Sequence, residues 1–166
     1  ISTHGNTYEM KNIKYTDNLV EYCVYGIEYF LEKTEHPNKS FIKGCEISRN
    51  IIRLSGYGWG QQRHNTDTPA LIKGWSYENP AANYSVHHNI FDRSAYRMLH
   101  LVAKEQKSCP EMYDNTYIQK NGGMIGQYGG KEAGEPVVEI FDENAEEKKK
   151  KGYEVKGDGT VILYDS

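Results

Sequence analysis

The chain has 166 residues, enough for one domain with a buried core, and a net charge of −3, which excludes the basic footprint expected of a nucleic-acid binder. Fourteen tyrosines, sixteen glycines and five prolines favour strands and turns over a helical bundle. No apolar run approaches the roughly 20 residues of a membrane helix, so no membrane span is expected.

The chain opens at Ile1, with neither an initiator methionine nor a charged-then-apolar leader, and the expectation is a processed or excised piece. Cys23, Cys45 and Cys109 are odd in number and form no C-x-x-C, so neither a zinc cluster nor a disulfide framework is indicated. Cys23 and Cys45 are expected to be small buried hydrophobes.

Four segments share a pattern of a short strand-like run, a Cys or Asn, an apolar residue two later, a polar turn and a second apolar run. In chain order they are NLVEYCVYGIEYF from Asn18, IKGCEISRNIIRL from Ile42, VHHNIFDRSAYRML from Val86 and MYDNTYIQKNGGMI from Met112. Anchoring on Cys23, Ile47, Phe91 and Tyr117 gives steps of 24, 44 and 26 residues. The outer steps match one coil of a parallel β-solenoid, and the middle one is a coil plus an excursion. Asn89 and Asn115 fall at one repeat position, with Cys45 there in the preceding coil. An inward Asn at a coil corner can bond the backbone of its neighbours.

The phrases CEISRNIIRLSGYG, YSVHHNIFDRS and DNTYIQ resemble coils of the right-handed parallel β-helix proteins of the pectate-lyase-like superfamily, across roughly residues 10–128. The resemblance implies an all-β fold, a right-handed parallel β-helix of few coils, in an extracellular or cell-envelope protein acting on polysaccharide. No catalytic signature of a lyase, hydrolase or epimerase family accompanies it. The expected organisation is β-helix coils over 1–130, with an inserted loop at about 55–80, and a C-terminal cap over 131–166. In that cap DENAEEKKKKGY reads as a helix from Asp142 and YEVKGDGTVILYD as a hairpin. Few coils also imply either unusual caps or upstream coils of the same polypeptide as partners.

Alternation along the strands places Glu28, Arg53 and His100 outward, in a column on adjacent coils about 4.8 Å apart. With His100 as base and Arg53 as the cation stabilising an enolate, this set suits β-elimination at a uronate. An ordinary salt-bridge ladder is the competing reading. The excursion supplies Tyr57, Trp59, Trp75 and Tyr77 for stacking on sugar rings, and Gln61, Gln62 and Lys73 for polar contacts with substrate. Arg63, His64 and Asp67 form an alternative acid–base set. The competing reading for both tryptophans is a private core against the flank of the solenoid.

His87 and His88 are adjacent in a strand, so they are expected on opposite faces and not as joint ligands of a metal. No cofactor is expected, although a calcium ion could bind near Asp17, Asp92 or Asp114 at coil corners. The functional expectation is a glycan-binding protein, with lyase, hydrolase or purely adhesive action left open, as is a structural role within a larger β-helix enzyme.

Overall fold

The computed structural model describes residues 1–5, 9–31, 41–62, 69–77, 81–103, 109–120, 123–129, 137–140, 153–155 and 160–164. These residues are mostly β-strand, with one short 3-10 turn, and the chain makes successive circuits through the same sheets. The first circuit is β1 (Ser2–Gly5), β2 (Glu9–Lys11), β3 (Lys14–Thr16) and β4 (Leu19–Glu21). The second is β5 (Tyr25–Leu31), β6 (Phe41–Lys43), β7 (Glu46–Ser48) and β8 (Ile51–Ser55). The third is β9 (Ala70–Tyr77), β10 (Ala81–Ala82), β11 (Ser85–His87) and β12 (Ile90–Ser94). The fourth holds β13 (Arg97–Ala103), β14 (Glu111–Tyr113) and β15 (Thr116–Lys120). After it come β16 (Met124–Gly129), β17 (Val137–Ile140), β18 (Tyr153–Val155) and β19 (Thr160–Tyr164).

Like strands of successive circuits pair in parallel, which gives four sheets. Sheet A runs β1-β5-β9-β13-β16-β17, sheet B β10-β6-β2, sheet C β14-β11-β7-β3, and sheet D β18-β19-β15-β12-β8-β4. Only the late strands depart from parallel pairing: β17 joins β16, β19 joins β15, and β18 joins β19 in antiparallel sense. The β18–β19 pair has the geometry that the expected hairpin requires, whereas the expected helix from Asp142 lies outside the described residues. All-β, parallel, stacked sheets are consistent with a β-helix-like fold.

The described corners from sheet C to sheet D and from sheet D to sheet A turn through left-handed residues. At the corner from sheet C to sheet D these are Asp17, Arg49, His88 and Asp114, with φ of 59°, 54°, 54° and 52°. Tyr22, Leu54 and Arg93 play the same part between sheets D and A. Left-handed backbone costs a non-glycine residue roughly 1–2 kcal/mol, so each corner needs compensation. At the C–D corner it comes from the following asparagine. Asn18, Asn50 and Asn89 each donate from Nδ2, and from their backbone N–H, to the Oδ1 of the asparagine one circuit on. The other Nδ2 hydrogens bind carbonyls at Thr16, Tyr15 and Ile47, and Asn115 donates to that of Val86. The result is a continuous amide ladder in which Asn50, Asn89 and Asn115 are buried.

Inside the stack, Val20, Ile52, Phe91 and Tyr117 form one apolar row of sheet D, and the Phe91 and Tyr117 rings stack at 5.3 Å. Tyr29 is fully buried, and its hydroxyl donates to the Ile13 carbonyl at 2.6 Å, tying sheet A to the entrance of sheet C.

Three sequence expectations change. The repeat steps are 32, 39 and 26 residues, from Tyr15 to Ile47 to Val86 to Met112, because Ile47 belongs to sheet C and not to the row of Phe91 and Tyr117. Cys45 is not a rung of the ladder; Asn50 is, with Asn18 before it. The expected loop at 55–80 is interrupted by β9, so residues 70–77 are a strand of sheet A.

Candidate functional site

The pairing of β5, β9 and β13 decides the fate of the expected column. Glu28 lies opposite Lys73, and Lys73 opposite His100, so the column is Glu28, Lys73, His100 on sheet A. Arg53 is on sheet D, between Glu21 and Asp92. Arg53 does not stand between Glu28 and His100, because β5 and β8 belong to different sheets.

Within the column Lys73 Nζ stands 3.4 Å from Glu28 Oε2 and 4.2 Å above the Tyr25 ring centroid. The side chains of Lys73 and Glu28 are 15% and 7% exposed. The Arg97 guanidinium donates to His100 Nδ1 at 3.0 Å, which fixes the neutral tautomer with hydrogen on Nε2. Burial, then the positive charges of Arg97 and Lys73, drive the proton affinity of His100 down to about pH 3, against a smaller opposing pull from Glu28. His100 is therefore a neutral hydrogen-bond donor at physiological pH, which departs from the base expected of it. The column is a largely buried charge cluster in which Lys73 faces Glu28.

The exposed groups gather elsewhere, on and beside sheet D. Its outer face carries an aliphatic row of Leu19, Ile51 and Ile90, exposed by 62%, 43% and 38%. Along the same strands follows a charged row of Glu21, Arg53 and Asp92. Arg53 Nε lies 3.7 Å from Glu21 Oε2, and Asp92 accepts from Arg93 at 2.6 Å, so the row is largely self-neutralised. At the far corner Tyr22 is 42% exposed.

Beyond β8 the chain makes a short 3-10 turn, Gly58–Gln62, packed against the corner of the first circuit. Its glycines permit that approach. A Cβ on Gly58 (φ 53°) would meet the Tyr22 ring at 3.0 Å, and one on Gly60 would fall 2.4 Å from the Cys23 carbonyl oxygen. The Gly60 N–H also bonds the Tyr57 carbonyl at 2.9 Å. Between the two glycines Trp59 is 75% exposed, so it does not fold back as a private core. Gln61 is exposed beside it and Tyr57 is half-buried. The side chains of Gln62, Trp75 and Tyr77, and the whole of Arg63, His64 and Asp67, lie outside the described residues.

The acids considered for calcium each face a base: Asp17 pairs bidentately with Arg49, Asp92 with Arg93, and Asp114 lies 3.7 Å from His88. Among the described residues no three His, Cys, Asp or Glu side chains are grouped to hold a metal ion. No described helix is long and apolar enough to cross a membrane. Cys45 is buried, as expected, and Cys23 only partly so.

No protein-family model matches the chain, no curated protein matches it by sequence, and no solved structure matches its fold.

Proposed function

We propose that the chain is a right-handed parallel β-helix of the pectate-lyase-like type, and an extracellular or envelope protein that binds a polysaccharide along sheet D and the Trp59 corner. The observation that carries the reading is the exposure of Trp59 on a turn whose two glycines lock it to the corner beneath. The tightly packed turn holds the indole out where a partner can reach its flat face. Flat aromatic faces suit the C–H faces of sugar rings, and the adjoining Tyr22 and Gln61 supply a hydroxyl and an amide for sugar hydroxyls. Beyond the charged row, Leu19, Ile51 and Ile90 supply a second apolar strip over three circuits, roughly 10 Å at the strand spacing.

The charged row favours a neutral glycan. Arg53 and Arg93 already have carboxylate neighbours, so a uronate would meet the negative charge of Glu21 and Asp92 beside each guanidinium. At the Glu28–Lys73–His100 column binding is favoured over cleavage, because the His100 lone pair is taken by Arg97 and the Glu28–Lys73 pair is covered.

The test is indole fluorescence of the chain titrated with neutral and uronate oligosaccharides. A neutral glycan is expected to quench or shift the emission, with affinity falling at least tenfold in Trp59→Ala. Equal affinity in that variant would remove Trp59 from the site, and release of new reducing ends or unsaturated products would replace binding with cleavage.

A further inference from the structure

Sheet C carries a cavity of about 500 Å³, away from the Trp59 corner, whose lining includes Lys14, Glu46, Asn83, Ser85, Glu111 and Tyr113. A space of that size can take a small molecule. One cross-strand row runs through it. The register sets Lys14 beside Glu46, Glu46 beside Ser85 and Ser85 beside Glu111, with adjacent rungs about 4.8 Å apart. Their strand neighbours Ile47 and Val86 are fully buried, so by alternation the row faces out.

The charges along the row are positive, negative, none, negative. Its first two members satisfy each other, with Lys14 Nζ 3.4 Å from Glu46 Oε2. Oε1 of Glu46 accepts from the Ser48 hydroxyl at 2.7 Å and lies 3.0 Å from His87 Nε2. His87 is held in turn by Tyr113, on which it stacks with planes 3° apart, and by His88, whose Nδ1 lies 2.8 Å from its own. The left-handed corner at His88 brings these two rings together, contrary to the opposite faces expected of strand neighbours.

The other half of the row has no such partners. Among the described residues Glu111 makes no ion pair, and neither the Ser85 hydroxyl nor the Asn83 side chain makes a hydrogen bond. Asn83 is exposed on the left-handed corner (φ 49°) two residues before Ser85. A cation on the Ser85 rung completes the alternation: it meets the Glu111 carboxylate on one side and that of Glu46 on the other, with the Ser85 hydroxyl and the Asn83 amide oxygen as further acceptors. An anion there would face both carboxylates, and a neutral ligand would leave the row unbalanced.

We propose that this cavity binds a small organic cation, an ammonium or guanidinium compound, seated on Ser85 between Glu46 and Glu111. The site is separate from the sugar-binding surface and does not depend on it.

The experiment is calorimetric titration of the full chain with putrescine and agmatine, and with the butanediol of the same chain length as putrescine for a neutral control. Saturable binding of both cations and none of the diol is expected. Glu111→Gln should weaken the cations about tenfold. Lys14→Gln removes the ammonium that competes for Glu46 and should tighten them. Ser85→Lys places an ammonium of the chain itself on the empty rung and should abolish binding. Glu111 and Lys14 are exposed, so their variants keep the fold and decide the matter even where Ser85→Lys does not. Diol binding equal to that of putrescine, no saturation by either cation, or affinities unchanged in Glu111→Gln and Lys14→Gln would overturn the proposal.

Discussion

Lys73 and Glu28 face each other across β5 and β9 with Nζ 3.4 Å from Oε2, and both side chains are more than four-fifths buried. Removing one partner takes the facing counter-charge from a largely buried group, which typically costs 3–5 kcal/mol, whereas replacing both with apolar groups of similar volume is often neutral. Lys73→Met should therefore destabilise the chain by roughly 3 kcal/mol, and Glu28→Met with Lys73→Met should restore most of that loss. Urea unfolding of the two single variants and the double variant measures the coupling.

The amide ladder should be the most sensitive polar feature of the fold. Asn89 accepts from the N–H and Nδ2 of Asn50 and donates to Ile47 and Asn115, all in buried surroundings. Asn89→Ala leaves these groups unmatched, for a loss of about 3 kcal/mol or more. Asn18, half-buried at the end of the ladder, should cost less. A larger loss at Asn18 than at Asn89 in denaturant midpoints would argue against a continuous ladder.

The ladder also shows what the sequence made legible. The pairing of Phe91 with Tyr117 and the shared place of Asn89 and Asn115 follow from the residues alone, because these circuits differ by a short step of 26 residues. The earlier circuits are longer and unequal, so an even period put Ile47 in the wrong row and Arg53 on the wrong sheet. The signal that sets the register is local: Asp17-Asn18, Arg49-Asn50, His88-Asn89 and Asp114-Asn115 each place a left-handed residue before a ladder asparagine. Aligning those four dipeptides aligns sheet D and leaves Lys73, not Arg53, between Glu28 and His100. The contact of His87 with His88 was not legible, because it depends on the corner backbone and not on strand alternation. Trp59 was legible as a candidate, while its exposure depends on how closely Gly58 and Gly60 approach the first circuit.

His100 gives the stability of the chain a pH dependence of known sign. Its proton affinity is lowered by folding, so between about pH 6.5 and about 3 the unfolded chain binds the additional proton. Stability from this group is fully present above the unfolded value and is lost as the pH falls through that window, at up to roughly 1.4 kcal/mol per unit. In His100→Gln, which keeps an acceptor for Arg97, the slope of unfolding free energy against pH should flatten between pH 6 and 4. An unchanged slope would mean that His100 does not titrate on unfolding.

Gly60 should control the Trp59 corner without touching any ligand. A methyl group there falls 2.4 Å from a backbone oxygen, so Gly60→Ala must push the turn off Tyr22 and Cys23. The expected result is a loss of about 1–2 kcal/mol and weaker glycan binding, whereas Trp59→Ala, at an exposed position, should change stability by no more than about 0.5 kcal/mol. Thermal melts of both variants beside their binding curves separate the two effects.

The most direct test of the sugar-binding face is to map methyl and indole NMR shifts while a neutral oligosaccharide is added. Perturbations at the Trp59 indole and at the outward Leu19, Ile51 and Ile90 methyls, with the buried Ile52 and Ile47 silent, are the predicted result. Shifts confined to the Glu28–Lys73–His100 column or to the sheet C cavity, with Trp59 unmoved, would contradict it.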